Sequence, residues 1–303
     1  MTSATAFSSG KVIISGEHAV VAGQPALVSS INLGLNIELR PRSLAAEMKT
    51  DDKFDEYSAH VVNLLSKQIN KEILLDKCDI FVDSNLPQST GLGSSAAYAH
   101  ALILALAELL GINLSEDEIF NLVWQAEHFK HGQSSGLDPA AVVFGGLQTF
   151  QNSDGKILKN QIKTHVLDNK QFWLINSGSV TESRKDLILG VQARVSINSR
   201  LKQVIKRIGE IGQLHVHSLK KDTFNHELMT ENQRLLEELE VVGDIAKEMV
   251  RDIEKMGGVA KIIGSGGVKT GSGFLLAYHP DSEILATLIK NKNWSVQPIT
   301  LGN

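Results

Sequence analysis

Pro87-Gln88-Ser89-Thr90-Gly91-Leu92-Gly93-Ser94-Ser95-Ala96-Ala97 is the stretch on which the reading of this chain turns. It joins two glycines and four hydroxyl residues to a small-residue-rich helix expected from about Ser94 to Leu110. Glycines let backbone N–H groups turn toward a ligand without side-chain interference, and the unpaired N–H groups at the positive end of a helix dipole favour a phosphate. The Gly-Lys-Ser/Thr ending of a Walker A loop is absent, and so is the three-glycine spacing of a dinucleotide fingerprint. Taken alone, the segment reads equally well as a glycine-rich turn capped by Ser94.

Upstream of this loop, Lys11 to Ile14 and Leu33 to Arg40 read as strands, the second with period-two alternation. Phe54 to Ile69 reads as an amphipathic helix with Tyr57, Val61, Leu64, Leu65 and Ile69 on one face, and Ile80 to Val82 as a strand leading into the loop. Downstream, Ser115 with Glu118 three residues later forms a capping-box pattern that opens a helix running to about Lys130. Gly145-Gly146 closes this half. After the polar stretch Asn152 to Lys156, a strand at Phe172 to Ile175 opens a second half. It is largely helical from Ser183 to Met256, then has strands at Val259 to Ile263 and Phe274 to Tyr278, a helix and a final strand. The order predicts an α+β protein of two domains, 1–168 and 169–303.

Composition narrows the function. A chain of 303 residues exceeds the size at which single cores stop growing, about 250 to 300 residues, so two domains are the default. A formal net charge of -4 gives no general attraction to nucleic acid or to anionic lipid, so any phosphate must be bound locally. The lone cysteine, Cys78, sits in an apolar run and reads as a small core residue in a reducing compartment. Met1 to Phe7 lacks a basic region followed by an apolar one, and no run of about 18 apolar residues occurs. Ala96 to Leu110 is the nearest approach, interrupted by His100 and Glu108, and reads as a buried helix. The expectation is a cytoplasmic protein without membrane or nucleic-acid partners. Glu237-Glu238-Leu239-Glu240 reads as a solvated helix face.

The run Pro87 to Ala97 resembles the central nucleotide-binding motif of the GHMP kinases, the superfamily of galactokinase, homoserine kinase, mevalonate kinase and phosphomevalonate kinase. Other segments agree in order. Gly10 to Leu27, with Glu17-His18-Ala19-Val20-Val21 at its centre, is similar to the first family motif in its mevalonate kinase form. Glu127 to Asp138 resembles the segment that carries the catalytic carboxylate. Asn176-Ser177-Gly178 with Thr181, Ser183 and Lys185, Glu231 to Leu236, and the late loop Ile263 to Gly273 follow the family in the second half. The resemblance spans nearly the whole chain. It implies a two-domain GHMP kinase fold, with an N-terminal ATP-binding domain like ribosomal protein S5 domain 2 and a C-terminal ferredoxin-like α+β domain.

It also implies a reaction: ATP-dependent phosphorylation of the primary hydroxyl of mevalonate to 5-phosphomevalonate, a step toward isoprenoid precursors. The implied roles are these. Pro87, Gly91, Leu92, Gly93, Ser94, Ser95 and Ala96 cradle ATP, and Mg²⁺ is held by Ser94 or Ser95 with Glu127, oxygen ligands suited to a hard cation. Asp138 accepts or orients the hydroxyl proton, Lys11 beside it stabilises the carboxylate and the transferring phosphoryl, and Glu17 and His18 contribute to the acceptor pocket. Dimerisation is common in that branch, so a homodimer is among the partners the resemblance allows.

The chain departs from the family at Val268-Lys269-Thr270, where further glycines are usual, and at Ser134, where proline is common. Without the resemblance, Lys11 reads as a strand-edge lysine, Glu127 as an exposed helix residue, Asp138 as an N-cap ahead of Pro139, and His18 as a buried histidine bonded to a carbonyl. Two further readings stay open: another kinase of the superfamily, such as phosphomevalonate kinase, and a non-catalytic nucleotide or metabolite sensor of the same fold.

Overall fold

The structure, a computed structural model, describes residues 3–41, 55–74, 78–87, 91–132, 134–153 and 155–302. Met1, Thr2, Phe54, Gln88, Ser89, Thr90, Gln133 and Asp154, which figure in the expectations above, lie outside the described residues. In chain order the elements are β1 (Ala4–Ser15), β2 (Ala26–Pro41), α1 (Glu56–Gln68), β3 (Cys78–Ser84), α2 (Ser94–Leu110), α3 (Glu116–His131), α4 (Leu137–Phe144), β4 (Leu147–Ser153), β5 (Lys156–Gln161) and β6 (Phe172–Asn176). There follow α5 (Arg184–Ile197), α6 (Ser199–Leu219), α7 (Glu227–Glu238), α8 (Asp244–Lys255), β7 (Val259–Ile262), β8 (Phe274–Tyr278), α9 (Ser282–Lys292) and β9 (Val296–Ile299). The α+β class expected from the order of elements is what the chain adopts.

Two compact units interleave along the chain. One is built from Met1–Gly10, Leu33–Pro87 and Gly93–Phe144, the other from Lys11–Asn32, Gln88–Leu92 and Gly145–Asn303. In the first unit, β2 pairs antiparallel with β3 from Leu35↔Ser84 to Pro41↔Cys78. Leu35, Ile37 and Leu39 alternate inward while Asn36 and Arg40 face out, as a half-buried strand requires. Helix α2 packs against α1, α3 and α4, and its alanines at 96, 97, 99, 101 and 105 are fully buried. Small side chains there admit close helix neighbours, which explains why this stretch is apolar nearly all round. Helix α3 opens with the expected capping box, Ser115 N–H donating to Glu118 Oε2 at 2.8 Å and Glu118 N–H to Ser115 Oγ at 3.3 Å.

In the second unit, Ala26 to Ser29 of β2 pairs with β4, and β4 with β5. A separate antiparallel sheet runs β7-β8-β6-β9. Ile208 and Ile211 of α6, Leu236 of α7, and Val250 and Ile253 of α8 bury against Ile262 and Leu275 of its strands. The β4–β5 hairpin went unforeseen because β5 is exposed along most of its length and carries no apolar alternation. Within the acidic cluster Glu240 is exposed as expected, while Glu237 is largely covered and accepts from Arg234 at 2.9 Å and from Arg251 at 2.7 Å. Among the described residues no helix is long and apolar enough to cross a membrane, and Cys78 is buried.

Candidate active site

In the second unit the candidates gather around the end of β1. Lys11 is 1 % exposed; its backbone N–H donates to Leu92 O at 2.9 Å and its Nζ to Gly91 O at 2.8 Å. A charged amine so deeply placed needs such partners, because burial without them is costly. Gly91 has φ 81°, and a Cβ there would lie 3.3 Å from Ile263 O and 3.4 Å from Gly264 Cα. The early and late glycine loops therefore meet backbone to backbone, a contact that a side chain at 91 would wedge apart.

The turn after β1 is equally constrained. Gly16 has φ 114°, and a Cβ there would fall 2.4 Å from Ala26 Cβ. His18 holds a left-handed φ of 59°, and its Nε2 donates to Ser265 O at 3.1 Å. Burial lowers the His18 pKa to about 4, so the ring is neutral near pH 7 and its proton sits on the nitrogen facing the carbonyl. Glu17 is 1 % exposed. One of its oxygens accepts from Asn232 Nδ2 at 3.1 Å, and the other is paired with Lys261 Nζ. Lys261 also donates to Ile13 O at 3.1 Å and Ile262 O at 2.8 Å, while Gln233 Oε1 accepts the Ile262 N–H at 3.0 Å. Burial pulls the Lys261 pKa below the ordinary lysine range, with the Glu17 charge opposing that pull.

The late loop has its own fastening. Glu182 Oε1 accepts the N–H groups of Val268 and Lys269 at 3.0 Å each, and Thr270 Oγ1 donates to Ser179 O at 2.6 Å. Where the family commonly has glycine, this chain has a loop tied down by a carboxylate and a hydroxyl, with the Lys269 side chain exposed.

In the first unit, Gly93 (φ 75°) is the N-cap of α2 and Ser94 its first helical residue, so Ser94 is not the cap that the plain turn reading required. The first helical hydrogen bond runs from Ala97 N–H to Gly93 O at 2.9 Å, leaving the N–H groups of Ser94, Ser95 and Ala96 without intrahelical acceptors. Glu127 on α3 is 1 % exposed rather than at the surface. Its Oε1 accepts from Tyr57 OH at 3.1 Å and its Oε2 lies 3.6 Å from His131 Nε2, which is 3.3 Å from Ser95 Oγ.

Asp138 is 4 % exposed in the first turn of α4, one residue inside the helix and not at its N-cap. The approach to it is pinned at Ser134. The Ser134 N–H donates to His128 Nδ1 at 3.3 Å, its carbonyl accepts from Trp124 Nε1 at 3.0 Å, and its Oγ accepts from Gly136 N–H at 3.3 Å. Serine here uses a backbone N–H that proline lacks.

Among the described residues no group of three or more His, Cys, Asp and Glu side chains gathers as a metal cage. What the first unit offers is a hydroxyl and a carboxylate, Ser95 and Glu127, tied through a common histidine. That donor set fits Mg²⁺, which keeps water and substrate phosphate oxygens as its other ligands.

Sequence reasoning missed Lys261 and gave Tyr57 only a packing role. Lys261 had a signal: it is the lone charge in Val259-Ala260-Lys261-Ile262-Ile263, and lysine inside an apolar strand is rarely buried unpaired.

A helix opening on a glycine loop, with buried Lys, Glu and Asp side chains and no Walker A lysine, is the pattern of the GHMP class. A family model described as the GHMP kinases N terminal domain matches residues 56–146. The mevalonate kinase of Archaeoglobus fulgidus is 30 % identical over 269 residues, covering 85 % of this chain and 87 % of that one. The mevalonate kinase of Pyrococcus horikoshii is 29 % identical over 292 residues, covering 85 % and 84 %. The crystal structure of the Methanococcus jannaschii mevalonate kinase superposes with a TM-score of 0.82 at 22 % identity, over 100 % of this chain and 99 % of that one, a likeness of fold. The chain belongs to the GHMP kinase superfamily and, within it, to the mevalonate kinase family.

Proposed function

We propose that this protein transfers the γ-phosphoryl group of ATP to the primary hydroxyl of mevalonate, giving 5-phosphomevalonate. The observation that carries the reading is the relationship to the Archaeoglobus fulgidus mevalonate kinase over 85 % of the chain, joined to the burial of Lys11, Glu127 and Asp138. Charged side chains are rarely buried without a structural or functional role.

Phosphoryl transfer has a loose transition state, so the protein mainly positions the reactants and neutralises charge. In our reading the orphan N–H groups of Ser94, Ser95 and Ala96, together with Pro87 and Gly91 to Gly93, receive the ATP nucleotide. Ser95, or Ser94, and Glu127 hold Mg²⁺, which when bound offsets phosphate charge. Asp138 orients the attacking hydroxyl and takes its proton late, and Lys11 supplies positive charge to the transferring group. His18, neutral and fixed by Ser265, meets the acceptor as a hydrogen-bonding group rather than as a cation. Glu17 serves the acceptor through the turn it anchors to Lys261 and Asn232.

We assign the N-terminal ATP-binding domain to 1–168 and the C-terminal domain to 169–303 in chain order; the compact units interleave only before residue 145, and that boundary falls inside the second of them. A single buried cysteine fits the reducing cytoplasmic setting that we assign to the protein. A homodimer is the assembly we would look for.

The test is ADP release with Mg-ATP against mevalonate, phosphomevalonate, homoserine and galactose. Turnover on mevalonate alone supports the reading. Turnover on phosphomevalonate instead moves the protein to the neighbouring kinase, and ATP binding without turnover on any acceptor makes it a sensor.

A further inference from the structure

Tyr57 was expected only on the apolar face of a helix, and it does pack there at 5 % exposure. Its ring lies 6.1 Å from that of Tyr98, with Lys130 Nζ 5.1 Å above it. Its hydroxyl does something packing does not require. It reaches Glu127 Oε1 on α3 at 3.1 Å and the backbone carbonyl of Ser95 on α2 at 3.2 Å. One phenol from α1 thus touches Glu127 and Ser95, two of the residues that the proposed function assigns to the divalent cation.

We propose that Tyr57 is a positioning residue for the metal site: its single hydroxyl fixes the Glu127 carboxylate against the first turn of α2 in the arrangement that receives the nucleotide-bound cation. The inference rests on the reading that Glu127 and Ser95 hold that cation.

A phenol has one proton and here two acceptors, so the hydrogen bond is shared, with the charged carboxylate the stronger partner. An un-ionised phenol carries the proton that the carboxylate accepts. His131 makes the second link, 3.6 Å from Glu127 Oε2 and 3.3 Å from Ser95 Oγ. With Oε1 occupied by the phenol and Oε2 beside the imidazole, the carboxylate plane has little rotational freedom. Outer partners that orient a ligating carboxylate are typically worth 10- to 100-fold in metal affinity.

The experiment is Tyr57→Phe in the full chain, which removes one oxygen and keeps the ring. Calorimetry measures affinity for a non-hydrolysable ATP analogue with and without Mg²⁺, and the ratio of the two is the readout. Tyr57→Phe is expected to lower that ratio by roughly tenfold while metal-free binding stays near wild type. A structural role alone would weaken both forms together and leave the ratio unchanged, which overturns the proposal. Glu127→Gln run beside it separates the two readings. If Glu127→Gln collapses the ratio and Tyr57→Phe does not, the metal assignment stands and the role of Tyr57 falls. If neither moves it, the metal assignment falls and takes this inference with it.

Discussion

Lys11 holds Gly91 by its side chain, Nζ donating to the carbonyl at 2.8 Å, while its backbone N–H holds the next residue, Leu92, at 2.9 Å. The lysine charge and the glycine loop are thus placed by a single strand residue, and the backbone half of the grip is independent of side-chain identity. Replacing Lys11 by methionine keeps the volume and the strand bond but removes the charge. We expect turnover to fall by roughly 10²- to 10³-fold, the range seen when one electrostatic donor is removed from a transition state. Steady-state kinetics beside urea unfolding check this; a rate within tenfold of wild type would mean that Lys11 serves only the loop.

Asp138→Asn keeps the shape of the first turn of α4 and removes the carboxylate. If Asp138 orients the hydroxyl and accepts its proton, turnover drops by roughly 10²- to 10⁴-fold, with Mg-ATP affinity unaltered by calorimetry. Loss of nucleotide binding to the same extent would place Asp138 in the nucleotide site instead.

Glu17 and Lys261 form a buried ion pair in which each is the other's charge partner. Lys261→Met alone leaves a buried carboxylate and should cost roughly 3–5 kcal/mol. The double change Lys261→Met with Glu17→Gln removes both charges and should recover much of that. Urea unfolding of the three proteins decides; equal losses in the single and double variants would show that the charges are not coupled.

Acid should weaken the fold through three histidines. Burial is the first cause of each shift, taking His18 and His100 from 6.5 to about 4 and His215 to about 3. The folded pKa lies below the unfolded one, so above pH 6.5 these groups are neutral in both states and contribute no pH dependence. Between pH 6.5 and about 4 the unfolded chain takes up protons that the folded one refuses, and stability falls as pH drops. Each group contributes roughly 2 kcal/mol of loss by pH 5. His215 has no hydrogen-bond partner on either ring nitrogen among the described residues, so His215→Leu should flatten the slope of urea midpoint against pH between 7 and 5. An unchanged slope would contradict that.

Where the chain wrote its pattern in apolar periodicity and capping chemistry, the elements could be read. Helix α2 starts at Ser94 and ends at Leu110 as expected, and α3 carries its Ser115–Glu118 capping box. The first half of β1, with Ala4, Thr5, Ala6, Ser8, Ser9 and Gly10, and the exposed β5 have no such pattern, and tertiary pairing makes them strands. The candidate residues were legible as types but not as environments. Nothing in Glu17-His18 tells that the carboxylate is turned onto Lys261, 244 positions later, because that contact depends on how distant strands assemble. Tyr57 was hidden for the opposite reason, since a tyrosine on an apolar helix face is ordinary and only coordinates reveal where its hydroxyl points.

The most direct test of the central claim is a phosphorus and proton NMR spectrum of the product formed from Mg-ATP and mevalonate by the wild-type protein and by Asp138→Asn. The account predicts a new phosphomonoester signal coupled to the methylene protons of the former primary alcohol with wild type, and only a trace with the variant. Phosphate on the tertiary hydroxyl, or equal product from both proteins, would contradict it.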